Sequence, residues 1–355
     1  MTAAHINRIA TAVPPHDVHA AFERFVDGRL EGRREQALFR RLARRSGIDH
    51  RWSSFRPVTN PDGFVADAEG FYVPGAFPGT ARRMERYGDV APALAEEAVR
   101  RLETDLKRVS HLVVASCTGF MAPGLDQVLV RRLGLNPGVE RTVVGYMGCY
   151  AAVNSLRLAH HFVRSDPDAQ VLVVNLELCT LHFQDTGEIE KLLSMLLFGD
   201  GASAALVSAR AEGLGLGDFL SLALPDSEDL ITWDIGDTGF DMHLSGEVPR
   251  RIARALDGPA AAGLLRNRPA DAFPLYAVHA GGRAILDAVE AGLALGQGTL
   301  DRSRAVLKAF GNMSSATLMF VLERILGEPG GSGEPGLAMA FGPGMACETF
   351  TFEKR

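Results

Sequence analysis

The sequence predicts an α/β protein made of two similar halves. Apolar runs of strand length alternate along the chain with stretches of helical pattern, which is the grammar of βαβ units. Several of these runs are continuously apolar, as strands covered on both faces are. With 355 residues the chain exceeds one small domain, and the absence of low-complexity tracts or internal repeats excludes solenoids and propellers.

In the first half, a helical stretch from about Ala81 to Leu102 precedes a strand at Leu112–Ser116. Thr142–Gly145 and Val171–Asn175 read as strands, separated by an alanine- and leucine-rich helix from about Tyr150 to Val163. Ala202–Val207 reads as a further buried strand. The Asp- and Gly-rich stretch from Leu222 to Pro249 reads as irregular structure joining the halves, and it divides the chain into 1–220 and 221–355. In the second half Leu275–Val278 is a strand, followed by helices from about Ala284 to Ala294, Ser303 to Ala309 and Ser314 to Leu326. The tail reads as a hairpin, with strands at Gly336–Phe341 and Met345–Phe352 around a Gly-Pro-Gly turn.

Hydrophobic residues make up 46% and charged residues 23% of the chain, which excludes a disordered protein. The formal charge of −6 argues against a nucleic-acid partner. No basic region precedes an apolar run at the N-terminus, and the most apolar segment, Leu192–Ser208, is broken by Asp200 and glycines. Neither a signal peptide nor a membrane span is expected. The four cysteines lack CxxC spacing, so a reduced, cytoplasmic protein without a metal site is expected.

Three positions carry chemistry. Cys149 follows Gly148 between a strand and a helix, where the partial positive charge of a helix N-terminus favours a thiolate. A buried cysteine filling a helix–sheet contact is the alternative, and the GxSxG spacing of a nucleophile elbow is absent. His279 stands at the C-terminal end of a buried strand before two glycines, the edge of an α/β sheet where ligands collect, although a satisfied core histidine would look the same. Asn312, in Gly311-Asn312-Met313, could serve as a helix cap or as an oxyanion donor. Arg40, Arg41, Arg44, Arg45 and Arg51 form a basic cluster, partly at i,i+4 spacing, that suits either a solvated helix face or phosphates. HExxH, Rossmann and P-loop patterns are absent, so neither a metal nor a redox cofactor is expected.

Taken in order, GCYAA around Cys149, LFGDGA at Leu197–Ala202, VHAGG around His279, GNMSSA around Asn312 and FGPG at Phe341–Gly344 resemble the type III polyketide synthases. This is the chalcone- and stilbene-synthase family of the thiolase superfamily, and the likeness covers nearly the whole chain. It implies a five-layered αβαβα thiolase fold and a homodimer. It also implies coenzyme A thioesters, an acyl-CoA and malonyl-CoA, as substrates without any further cofactor. Cys149, His279 and Asn312 match the family's catalytic triad, which implies a Cys149 thiolate paired with protonated His279. Arg41 and Arg45 match its basic CoA-contacting positions. Phe198 matches one gatekeeping phenylalanine, and Met242 stands where the second is expected.

Cys117 and Cys179 match pocket-wall positions where plant relatives carry threonine, Ala122 stands where a bulkier dimer-interface side chain is frequent, and Ala280 replaces the proline of the usual HPGG. These small walls imply room for a fatty acyl starter and an alkylpyrone or alkylresorcinol product. Cys117, Glu177 and Ser314 match positions that in some relatives activate a water for aldol ring closure, but a thiol is a weak donor, which favours the pyrone. A β-ketoacyl synthase III shares the triad and is the nearest alternative. A cysteine hydrolase or a non-catalytic binding module of the same fold lies farther off.

Overall fold

The structure, a computed structural model, describes residues 2–59 and 65–355. Nine strands are hydrogen-bonded side by side: β1 (His5–Ala12), β2 (His111–Ser116), β3 (Glu140–Gly145), β4 (Val171–Leu178), β5 (Asp200–Ser208), β6 (Leu214–Ala223), β7 (Leu275–Val278), β8 (Pro335–Gly342) and β9 (Ala346–Lys354). Their order is β7-β8-β9-β6-β1-β5-β4-β2-β3. The pairs β2–β3, β2–β4 and β7–β8 are parallel and the others antiparallel. Only His5↔Gly215 and Ile6↔Leu214 pair β1 with β6, so the ladder consists of two sheets joined at a corner.

The alternation of side chains along each strand separates three cores and builds five layers. Val113 and Ala115 of β2, with Ala338 and Ala340 of β8, face a shared middle layer made of helices Ala151–Ser165 and Thr317–Gly327. Leu112 and Val114 point the other way, onto helix Thr80–Arg100. Tyr276, Val278, Leu337 and Met339 likewise pack against helices Val248–Leu256, Arg283–Gly292 and Asp301–Phe310. This is the α/β layering expected of a thiolase fold. Helix Thr317–Gly327 is apolar nearly all round because both of its neighbours are sheets.

The expected strands and helices occur at their places, most ends moved by a few residues. The stretch Leu222–Pro249 differs. It contains the end of β6, a hairpin of Ile231–Gly236 and Gly239–Leu244, and the start of helix Val248–Leu256. The outer face of this hairpin is polar and exposed, so its strands lack the apolar run that marks the buried ones. The hairpin is tied to the body by Thr80, whose N–H donates to Asp237 O at 2.8 Å and whose Oγ1 accepts from Gly239 N at 2.9 Å. Two N-terminal helices, His19–Arg29 and Arg33–Arg45, precede these elements, and the first contributes Ala21, Phe22 and Phe25 to the lining of the site. No helix among the described residues is long and apolar enough to cross a membrane.

Candidate active site

After β3 the chain turns through Tyr146 (φ 58°) and Gly148 (φ 76°) into a short turn at Gly148–Tyr150 and then helix Ala151–Ser165. A Cβ on Gly148 would lie 2.3 Å from Pro343 Cδ, so position 148 needs glycine for both its φ and its space. Gly148 N–H donates to Cys117 Sγ at 2.9 Å. Cys149 sits at the tip of this elbow and is 8% exposed. Burial pushes its thiol up to about 11, and hydrogen bonds with Ser314 and Asn312 only partly offset that.

Gly311 (φ 68°) brings Asn312 alongside the segment of Phe198. Asn312 N–H donates to Leu197 O at 2.8 Å, and Gly199 N–H donates to Asn312 O at 2.9 Å. Phe198 and Asn312 are thus paired backbone to backbone. The side chain is also fixed: Oδ1 accepts from Ser314 N at 2.8 Å and Nδ2 donates to Gly281 O at 3.2 Å. Gly281 borders His279 too, since a Cβ there would lie 3.3 Å from the ring's Cδ2.

His279 directly follows β7 and is anchored by its N–H donating to Met339 O at 2.8 Å. Its ring is buried, and neither ring nitrogen has a hydrogen-bond partner among the described residues. Burial drives the ring's pKa down to about 3. Burial thus acts on both groups in the same sense, against the charged thiolate and against the charged imidazolium. A neutral imidazole still holds one lone pair and one N–H for chemistry.

A cavity of about 150 Å³, open at its mouth, reaches Cys149. Of the expected wall residues, Cys117, Cys179, Phe198, Met242 and Ser314 line it, while Glu177 is buried behind the lining. Ala122 does not: it is exposed and stands outside the cavity of this chain. An aromatic wall absent from the sequence reading completes the cavity, with Phe22, Phe25, Phe55, Tyr72 and Phe183. Phe183 meets Phe22, Phe25 and Tyr72 edge-on at 5.0–5.5 Å between centroids. The only sequence hint was the helical spacing of Phe22 and Phe25. Trp233, from the unexpected hairpin, also lines the cavity and donates Nε1–H to Cys117 O at 2.9 Å.

Glu177 anchors a network one residue away from the expected one. Its Oε2 accepts from Cys117 N at 3.0 Å and Thr118 Oγ1 at 2.9 Å, and its Oε1 accepts from Ser315 Oγ at 2.5 Å. Ser315, not Ser314, closes onto the carboxyl, because Ser314 (φ 45°) turns to the Cys149 side. Burial raises Glu177 to about 7.

The arginine cluster divides. Arg41, Arg44 and Arg45 are exposed on helix Arg33–Arg45, outside the cavity lining. Arg40 pairs with Asp27 at 2.8 Å, and Arg51 is buried, which removes it from any surface phosphate site.

Layers and site together define a thiolase-fold protein with a cysteine at an elbow at the base of an apolar cavity. Residues 84–211 match the family described as "Chalcone and stilbene synthases, N-terminal domain", and residues 220–354 match its C-terminal domain. A relative from Mycobacterium tuberculosis, the "Alpha-pyrone synthesis polyketide synthase-like Pks18", is 34% identical over 78% of this chain and 74% of its own. "Polyketide synthase 37" of Dictyostelium discoideum is 35% identical over 76% of this chain, which spans only 10% of that protein. The solved 1,3,6,8-tetrahydroxynaphthalene synthase of Streptomyces coelicolor superposes with a TM-score of 0.86 at 29% identity, covering 99% of each chain. The chain belongs to the chalcone and stilbene synthase family, the type III polyketide synthases. These are acyltransferases that condense coenzyme A thioesters by decarboxylation and need no further cofactor.

Proposed function

We propose that this chain loads a fatty acyl group from coenzyme A onto Cys149, extends it with malonyl-CoA and releases an alkylpyrone. His279 takes the Cys149 proton as sulfur attacks the acyl thioester, and the departing coenzyme A thiolate takes that proton. Malonyl-CoA then loses carbon dioxide. The electron pair of the broken C–C bond becomes an enolate, whose oxygen accepts hydrogen bonds from Asn312 Nδ2–H and an imidazole N–H of His279. The enolate carbon attacks the Cys149 thioester, the thiolate leaves, and the chain, two carbons longer, returns to Cys149 for the next round. Attack of an enol oxygen on the thioester carbonyl closes the lactone and expels the thiol.

The aromatic wall carries the choice of starter. Phe22, Phe25, Phe55, Tyr72 and Phe183 make a deep apolar surface continuous with Cys149, and such surface favours an alkyl tail over a polar or charged starter. The thiols of Cys117 and Cys179 add small, weakly polar wall, and burial holds both protonated. Ring closure by lactonisation agrees with a Glu177 whose oxygens are already occupied by protein donors. In this reading Arg41 and Arg45 hold the coenzyme's phosphates, the halves 1–220 and 221–355 supply Cys149 and the His279–Asn312 pair respectively, and the working unit is a cytoplasmic homodimer.

Mass spectrometry of products from acyl-CoAs of graded length with malonyl-CoA tests the proposal. Long-chain starters should be preferred and should give pyrones. Preference for aromatic or malonyl starters refutes the starter assignment. A single extension from a malonyl carrier protein would instead favour the β-ketoacyl synthase alternative.

A further inference from the structure

We propose that Arg51 is a positioning residue that holds gatekeeper Phe198 and oxyanion donor Asn312 in a single register. The proposal rests on the roles just given to Phe198 and Asn312.

Arg51 is 2% exposed and has no carboxylate within ion-pair distance among the described residues. Its Nη1 donates to two carbonyls of the segment before β5, Phe198 O at 2.7 Å and Met195 O at 2.9 Å. Its Nε donates to His19 Nδ1 at 3.0 Å, and its guanidinium carbon lies 4.7 Å from the centroid of the Phe22 ring. A π-face thus stands where a carboxylate would be expected. On the side of Asn312, a Cβ on Gly311 would lie 2.9 Å from Arg51 Cγ and 2.8 Å from Leu197 O. The stem of Arg51 therefore fills the space that the absent side chain at 311 leaves, against the loop that delivers Asn312.

Asp17, Asp200 and Glu23 favour the Arg51 charge from beyond ion-pair distance, but burying a cation costs several kcal/mol and direct pairing does not offset it here. What Arg51 gives in return is geometric. Nη1 holds the carbonyls of Phe198 and Met195, Nε is tied to His19, the aliphatic stem abuts the asparagine loop, and the guanidinium lies over Phe22 of the aromatic wall. Lysine could still donate to the two carbonyls that Nη1 holds, but a single ammonium cannot also replace the Nε bond to His19 or lay a flat face against Phe22.

Three measurements on Arg51→Lys test this: Cys149 acylation by intact mass, conversion of malonyl-CoA to acetyl-CoA without starter, and thermal stability. Acylation should stay within about threefold of the parent. Decarboxylation kcat should fall by roughly 10- to 100-fold, as a shift of about 1 Å in a catalytic donor implies. Equal losses in both activities that follow the folded fraction would mean a purely structural role and would overturn the proposal, as would a lysine variant indistinguishable from the parent. Gly311→Ala presses on the same contact from the other side and should give the same split, which keeps the test open if Arg51→Lys does not fold. Asn312→Ala separates the two levels. If it decarboxylates normally, the assignment of Asn312 fails and takes this proposal with it. If it is impaired while Arg51→Lys is not, only the role of Arg51 fails.

Discussion

Replacing Gly148 by alanine tests the elbow most directly. The new Cβ would lie 2.3 Å from Pro343 Cδ, against an ordinary contact of 3.4–4 Å, so the two must part by roughly 1 Å. Pro343 is a rigid ring in the cavity wall, and Gly148 is the residue before the nucleophile. A left-handed φ of 76° adds about 1–2 kcal/mol for a residue with a Cβ, and overpacking adds about 1–3 kcal/mol. Together these predict a loss of about 2–5 kcal/mol in stability. A displacement of that size at the nucleophile predicts a loss of about 100-fold in kcat/KM for condensation. The assay is acyl-CoA and malonyl-CoA turnover alongside urea unfolding, with Gly88→Ala as the control. Gly88 lies within helix Thr80–Arg100 with nothing near its Cβ position, so alanine there should gain about 0.5–1 kcal/mol and leave turnover unchanged. Turnover of Gly148→Ala within threefold of the parent would falsify the elbow argument.

Two further outcomes are expected. Changing Arg41 and Arg45 together to glutamine should raise KM for acyl-CoA and malonyl-CoA alike and flatten the dependence of KM on salt, because phosphate contacts are screened by ions. Unchanged KM values would place the phosphates elsewhere. Stability should fall as pH drops from about 6.5 toward 3, because buried His279 and His182, both lowered to about 3, stay neutral in the folded chain while their unfolded counterparts take up protons. Each contributes a slope of ~1.4 kcal/mol per pH unit in that window. Glu177, raised to about 7, acts oppositely between 4.5 and 7, where the folded chain keeps a proton that the unfolded chain releases. Urea unfolding of His279→Asn should show an acid limb shallower by one such slope, and a curve parallel to the parent's would refute this.

Legibility in the sequence followed burial. Strands covered on both faces, such as β2 and β4, are unbroken apolar runs and were readable, whereas the hairpin Ile231–Leu244 is half exposed and read as irregular. Helix Arg33–Arg45 buries only Phe39 and Ala43 among many arginines, and its sequence showed charge before it showed a helix. Cys149, His279 and Asn312 stood out as candidates because each stands at a strand end or turn with its own glycine signature. The aromatic wall was not, since Phe22, Phe55, Tyr72 and Phe183 come from four separate segments that only the fold brings together.

Residue types and local order alone therefore determined the α/β class, the cysteine at a strand–helix turn, and the chemistry that a thiol, an imidazole and an amide can perform. Tertiary structure decided what depends on distance and dielectric. It placed Ser315 rather than Ser314 on Glu177, turned Arg51 inward, and set Ala122 outside the cavity. It also set the direction of the pKa shifts. A cysteine at a helix start reads as a thiolate in one dimension, but burial in three withholds the water that would solvate its charge and pushes the thiol up.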